Sequence, residues 1–387
     1  MIAKTWIGLF FFGLKSMTGV AQTPTYSVRS NIENMTDSVI SLTIWDGTSA
    51  TRNKTIRAVN GQINFTDTTS IPLMIRAHLS DKRMYKYAKN GYYPVKSQQI
   101  WFVVQPGSKV QLNGKLSDFA EVYPSGDKEN ELLASLTRKY FPLLNRSVNI
   151  MVKLNTDSTI TEEEKTQLTA LKAKIDDSAM AVLRSSVRAN ISSLMGMWFT
   201  NDMLMRRQVE LNEVAGWLTK VDRKYHPTNF YQVLDARVKA AEYAEGKKIF
   251  TISSPNTPDG KTFSTASLKG KFYLIDFWGS WCGPCMAGMP GLKALKAKYP
   301  AHLEIVGIAK DSENAWRKEI ERSQLNWIHI LNGNQEFDFV ARLNVAGFPT
   351  KILVDPEGTI LYRVVGEDKA SAEKISRFID EWIAKNK

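Results

Sequence analysis

Trp281-Cys282-Gly283-Pro284-Cys285 is the stretch that decides the fold, and it holds both cysteines of the 387-residue chain. The residues before it, Phe272-Tyr273-Leu274-Ile275-Asp276-Phe277-Trp278, are mostly aromatic and aliphatic, as a buried strand requires. After it, Met289, Leu292, Leu295 and Tyr299 recur at the spacing of one helix face, which predicts a helix from Met286 to Tyr299. A Cys-x-x-Cys at a strand-to-helix turn sets Cys282 beside helix N–H groups that lack partners of their own. The positive end of the helix dipole there favours thiolate over thiol. The spacing points to thiol–disulfide exchange.

Two blander uses of the pair fit less well. Four-ligand zinc needs two more Cys or His, and His78, His226, His302 and His329 are far apart in sequence, so no metal is expected. A purely structural disulfide between residues so close together closes a tiny loop and removes little entropy from the unfolded chain.

Length sets a prior of two or three domains, and 43% apolar with 23% charged residues is ordinary for a globular protein. The net charge is +12, but lysines and arginines are scattered among acids with no dense basic block, so nucleic acid is not an expected partner. Residues 1–21 read as a secretory signal. Lys4 supplies the positive start, Trp6 to Leu14 the apolar run, and Gly19-Val20-Ala21 the small residues of a cleavage site. Export to the periplasm or cell envelope is the expectation. An oxidising compartment permits disulfide staples, yet this chain keeps only a pair suited to exchange.

Residues 22–126 read as a β-sandwich domain. Ile40, Leu42 and Ile44 alternate with Ser41 and Thr43, and Asn60-Gly61 predicts a hairpin between Lys54–Val59 and Gln62–Phe65. Further strands are expected at Pro72–Leu79, Gln99–Val104 and Lys109–Leu112. Residues 127–247 read as a helical linker domain. Thr161 and Glu164 form a capping box, and helices are expected over Glu210–Tyr225 and Asn229–Tyr243. Met195, Met197, Met203 and Met205 suit either a helix core or an adaptable surface, with the core favoured by their spacing. Neither segment carries a catalytic constellation.

Residues 248–387 alternate strands and helices, and here the pattern becomes specific. Phe277, Trp278 and Trp281 to Cys285, with Phe348-Pro349-Thr350 before a strand hairpin, resemble thioredoxin. The additional helix and strand between Ala309 and Glu336 resemble the insertion of TlpA-like exported thiol–disulfide oxidoreductases. The fold class expected is a multidomain α+β chain whose last third is a thioredoxin-like α/β domain.

The resemblance implies roles that the chemistry also supports. Cys282 is the attacking thiolate and Cys285 the resolving thiol. Asp276, a carboxylate in an apolar strand, would take the proton of Cys285. Pro349 is expected to follow a cis bond, leaving the backbone at Gly347 and Phe348 to pair with an extended substrate segment. Trp281, Gly283 and Pro284 would form the docking surface, Trp278 the core beneath it, and Pro290 a kink. No cofactor is implied beyond the redox-active cysteine pair. Disulfide-containing proteins are the implied substrates, with a membrane electron donor behind them and a homodimer allowed. Gly288 stands where TlpA-like reductases of cytochrome maturation often carry Glu, which favours broader dithiol exchange. The Gly-Pro dipeptide implies a reducing potential nearer roughly −270 mV than −120 mV. Two other functions fit the chain, a dimeric disulfide isomerase or chaperone and a non-catalytic cell-envelope binding protein. A peroxidase fits poorly, because Gly279 occupies the place of the Thr in its peroxide pocket.

Overall fold

The computed structural model describes residues 23–386, apart from 37, 49, 50, 90, 367 and 368, so the expected signal at residues 1–21 lies outside them. The chain opens with β1 (Thr25–Glu33), β2 (Val39–Trp45), β3 (Thr51–Arg57), β4 (Asn64–Thr68) and β5 (Leu73–Leu79). The short hairpin β6 (Lys86–Ala88) and β7 (Gly91–Tyr93) follows, then β8 (Ile100–Val104), β9 (Lys109–Leu116) and β10 (Ala120–Ser125). Eight of these strands form two four-stranded sheets, ordered β10-β9-β1-β4 and β3-β2-β5-β8. Alternation in β2 turns Ile40, Leu42 and Ile44 inward, where they share a core with Val28 and Leu112 of the other sheet.

The Asn60-Gly61 turn forms, but not as the expected hairpin. Asn60 and Gly61 both take positive φ (51° and 68°), and a single bridge joins Val59 to Gln62. Beyond that bridge the strands part, β3 pairing with β2 in one sheet and β4 with β1 in the other. A tight turn fixes only its flanking residues. The two sheets' separate hydrophobic faces decide the pairing after it.

Five helices come next: α1 (Lys128–Thr156), α2 (Glu162–Ala189), α3 (Leu194–Met205), α4 (Leu211–Leu218) and α5 (Asn229–Lys239). The Thr161 hydroxyl accepts from the Glu164 N–H at 3.2 Å, and the Glu164 carboxylate accepts from the Thr161 N–H at 3.0 Å, so the capping box starts α2. The expected helix over Glu210–Tyr225 is shorter: α4 stops at Leu218 and a single turn covers Arg223–Tyr225. Met195, Met197 and Met203 are fully buried, packing core rather than surface.

The last part contains β11 (Ser253–Ser254), β12 (Phe263–Ser264), β13 (Phe272–Trp278), α6 (Gly283–Lys298), β14 (Leu303–Ala309) and α7 (Glu313–Arg322). After these come β15 (Ile328–Leu331), α8 (Phe339–Arg342), β16 (Thr350–Val354), β17 (Ile360–Val365) and α9 (Lys369–Lys385). The five-stranded sheet runs β15-β14-β13-β16-β17, with β13 parallel to β14 and antiparallel to β16. All seven residues of β13 are buried, since both faces are covered. Leu274 and Trp278 point to the face packed by α6, α7 and α9, whereas Ile275 and Phe277 point to the face packed by α8. Asp276 therefore lies on the α6 face, in the middle strand of the sheet.

Candidate active site

The end of β13 and the start of α6 set the cysteines. Cys282 caps α6, and its sulfur accepts from the Cys285 N–H at 3.2 Å. Pro284 costs nothing in this first turn, where its missing N–H would have no helical acceptor. The two sulfurs are joined in a disulfide. Cys285 faces the core at 3% exposure, and Cys282 is only 4% exposed, a narrower approach than the sequence suggests. Gly283 and Pro284 beside it are exposed, and a Cβ on Gly283 would meet nothing within 4 Å.

Trp281 is 60% exposed yet held in place. Its indole N–H donates to the Lys310 carbonyl at 2.8 Å, and its ring meets Phe348 edge-on at 5.4 Å. The ring folds back across Gly279, where an added Cβ would lie 2.5 Å from the Trp281 Nε1. The Ser280 N–H donates to Asp311 at 2.7 Å, so the loop after β14 holds both residues that precede Cys282. Phe348-Pro349 is a cis peptide bond, and the Thr350 hydroxyl donates to the Gly347 carbonyl at 2.7 Å. The Cys282 turn and the Gly347–Pro349 turn thus meet through Trp281 and Phe348.

Asp276 is 1% exposed, buried within the sheet. Across the sheet its register partner is Lys351 of β16, and the Lys351 ammonium lies 4.0 Å from the Asp276 carboxylate with both side chains buried. Lys351 is a site residue that the sequence reading placed in a strand and passed over. Its signal was there: a lysine in an otherwise apolar run, Lys351-Ile352-Leu353-Val354, directly after Pro349-Thr350. A cavity of about 30 Å³ lined by Lys351, Gly288 and Ser371 lies between α6 and α9, space on the scale of one water. Pro290 lies inside α6 and is exposed. Among the described residues, no group of three His, Cys, Asp or Glu side chains could hold a metal ion.

Comparison with known proteins fits this geometry. Residues 244–377 match the Redoxin family model. A thiol-disulfide oxidoreductase ResA of Bacillus cereus (strain ZK / E33L) is 30% identical over 112 residues, 28% of this chain and 63% of that protein. A thiol:disulfide interchange protein DsbE of Pseudomonas aeruginosa is 31% identical over 126 residues, 31% of this chain and 66% of that protein. The chain therefore spans about two thirds or less of these relatives' length, and all of the match falls in one part of it. Among solved structures, the thioredoxin domain of a thiol-disulfide oxidoreductase from Bacteroides vulgatus is 29% identical, covering 35% of this chain and 98% of that one with a TM-score of 0.33. Residues 244–377 form a thioredoxin-like domain that matches the Redoxin family model and is similar to the thiol–disulfide oxidoreductases.

Proposed function

We propose that this chain is an exported thiol–disulfide oxidoreductase that reduces protein disulfides through Cys282 and Cys285. One observation carries the reading: Cys282 caps a helix N-terminus with Cys285 buried one step behind it, on the helix that covers the sheet face carrying the buried Asp276. In the reduced protein the Cys282 thiolate attacks one sulfur of a client disulfide, and the other client sulfur leaves as a thiolate. Cys285 then gives its proton to Asp276 and attacks Cys282. The S–S bond to the client breaks, the second client thiolate leaves, and the Cys282–Cys285 disulfide remains. The client keeps two electrons, and a membrane dithiol donor supplies two more to the Cys282–Cys285 disulfide, becoming a disulfide itself.

Trp281 and Phe348 form the apolar wall against which the client lies, and the backbone at Gly347 and Phe348 pairs with it. Gly283 and Pro284, both exposed, border the narrow approach to Cys282. Residues 1–21 direct export. The two sheets of residues 22–126 form a β-sandwich domain that, with the helices of 127–247, carries the redox domain of 248–387.

The test is capture of the intermediate. A Cys285→Ser variant, reduced and mixed with a disulfide-bearing client, should accumulate a mixed disulfide at Cys282 visible on non-reducing gels. No adduct, together with alkylation of Cys282 at neutral pH as slow as for an ordinary thiol, would overturn the reading. Equilibration against glutathione checks direction, with the expected potential near −270 mV.

A further inference from the structure

A row of residues crosses the sheet beneath α6. Lys351 of β16 pairs in register with Asp276 of β13, Asp276 with Gly307 of β14, and Gly307 with His329 of β15. Over Gly307 the row is interrupted, because there is no side chain. An added Cβ there would lie 3.0 Å from Trp278 Nε1, 3.1 Å from Trp327 Nε1 and 3.3 Å from His329 Nδ1. Three ring nitrogens, one from the end of β13 and two from the start of β15, converge above one glycine.

All three are buried, in residues 0%, 8% and 4% exposed, and none has a hydrogen-bond partner within the protein. Leaving a buried polar group unsatisfied costs about 1–3 kcal/mol, so three together call for a shared partner. Their polarities say what it is. The other ring nitrogen of His329, Nε2, lies 3.2 Å from the Leu325 carbonyl, which can only accept, so Nε2 carries the hydrogen and Nδ1 is an acceptor. Burial lowers the His329 pKa to about 4, keeping the ring neutral at pH 7. Two indole N–H donors and one acceptor match a single water molecule. An anion would be repelled by the Nδ1 lone pair, and a cation by the two N–H groups.

We propose that Gly307 keeps a place for one buried water, bound by Trp278, Trp327 and His329 and shared with Asp276. The water accepts both indole hydrogens and donates one of its own to His329 Nδ1. Its second hydrogen goes to the Asp276 carboxylate, which stands beside Gly307 on the same face. Asp276 is then flanked by the Lys351 ammonium on one side and by water on the other. Trp278, Trp327 and His329 become positioning residues for the base of the second exchange step, a role that rests on the function proposed above.

The experiment uses the oxidised full chain with ¹⁵N-labelled tryptophan. The Trp278 and Trp327 indole protons should show rotating-frame Overhauser contacts to a long-lived water. Gly307→Ala, whose methyl fills the place, should abolish both and leave the buried Trp316 indole unchanged. Absence of these contacts in the folded wild-type protein overturns the site, whatever its activity, and that measurement stands even if Gly307→Ala does not fold. The link to Asp276 is read separately. Gly307→Ala should slow release of the client from the mixed disulfide about tenfold, the scale of one hydrogen bond to a charged group, with Cys282 alkylation unchanged. Unchanged release overturns the sharing with Asp276 while leaving the water in place.

Discussion

At the scale of single residues, the cysteines were readable because their chemistry is local. Four consecutive positions set Cys282 at a helix start, and the strand before them names Asp276. Lys351 and His329 were not readable in the same way, because only strand register brings them into the row of Asp276, Lys351 as its direct partner and His329 two strands away, from segments 75 and 53 positions further along the chain. A buried lysine beside a buried carboxylate makes a clear prediction. Replacing Lys351 by Met leaves the buried Asp276 without this cation, and unfolding in urea should show a loss of about 3 kcal/mol. His329 makes a second prediction, with its sign set by burial. Its pKa falls from an ordinary 6.5 to about 4 in the folded protein, so between these values the unfolded chain binds the extra proton. The stability this neutral ring contributes is fully present above pH 6.5 and is lost as pH falls toward 4. Each pH unit in that window is worth about 1.4 kcal/mol, or about 3 kcal/mol over the whole of it. The stability difference between wild type and His329→Asn, followed by denaturant titration from pH 7 to 4, should shrink by that amount.

At the scale of elements, periodicity gave β13 in full and placed the start of α6 three residues late. The hairpin β16–β17 and the helix α6 both come from strong local signals. The first third was harder. β1 and β10 carry too many polar residues to stand out, and they exist because their alternate residues, Val28 and Val122 among them, close the sheet β10-β9-β1-β4 over a common core. The expected hairpin at Asn60-Gly61 failed because turn chemistry cannot choose a sheet. One contact between elements was invisible in sequence and is testable. β8 is an edge strand, and the buried Asn130 of α1 completes it as a neighbouring strand would. Its carbonyl accepts from the Val103 N–H and its amide donates to the Val103 carbonyl, both at 2.9 Å. Asn130→Leu fills the same volume but leaves a buried N–H and a buried carbonyl unpaired. The expected cost is about 2–4 kcal/mol, read as a lowered midpoint of thermal or urea unfolding. Asn130→Asp should restore only the bond from the Val103 N–H.

At the scale of the whole molecule, a buried arginine bonds the helices to the redox domain where α5 packs on α8. Arg237 of α5 is 2% exposed, donates to Asn201 of α3 at 2.7 Å, and reaches Asn344 of the redox domain at 3.3 Å. Burial lowers its pKa to about 10, and the Asp338 carboxylate opposes that shift by favouring its charge. Asn344 lies three residues before Gly347, and its carbonyl also accepts from Arg363 of β17 at 2.9 Å. Two arginines from different parts of the chain therefore grip the segment that leads into Phe348-Pro349. The helices do more than tether the redox domain in this arrangement, since they help fix the loop against which Trp281 rests. Replacing Arg237 by Met keeps most of its volume and removes the charge that faces Asp338. The joint should weaken by about 2 kcal/mol, on the scale of hydrogen bonds made by a charged group. Amide hydrogen exchange should then rise in residues 338–349 and in α5 while β13 and α6 stay protected. Thermal unfolding should broaden or split as the redox domain melts apart from the helices. Unchanged exchange in 338–349 would mean that the redox domain holds this loop alone, and that the helices bear on the cysteines only as a tether.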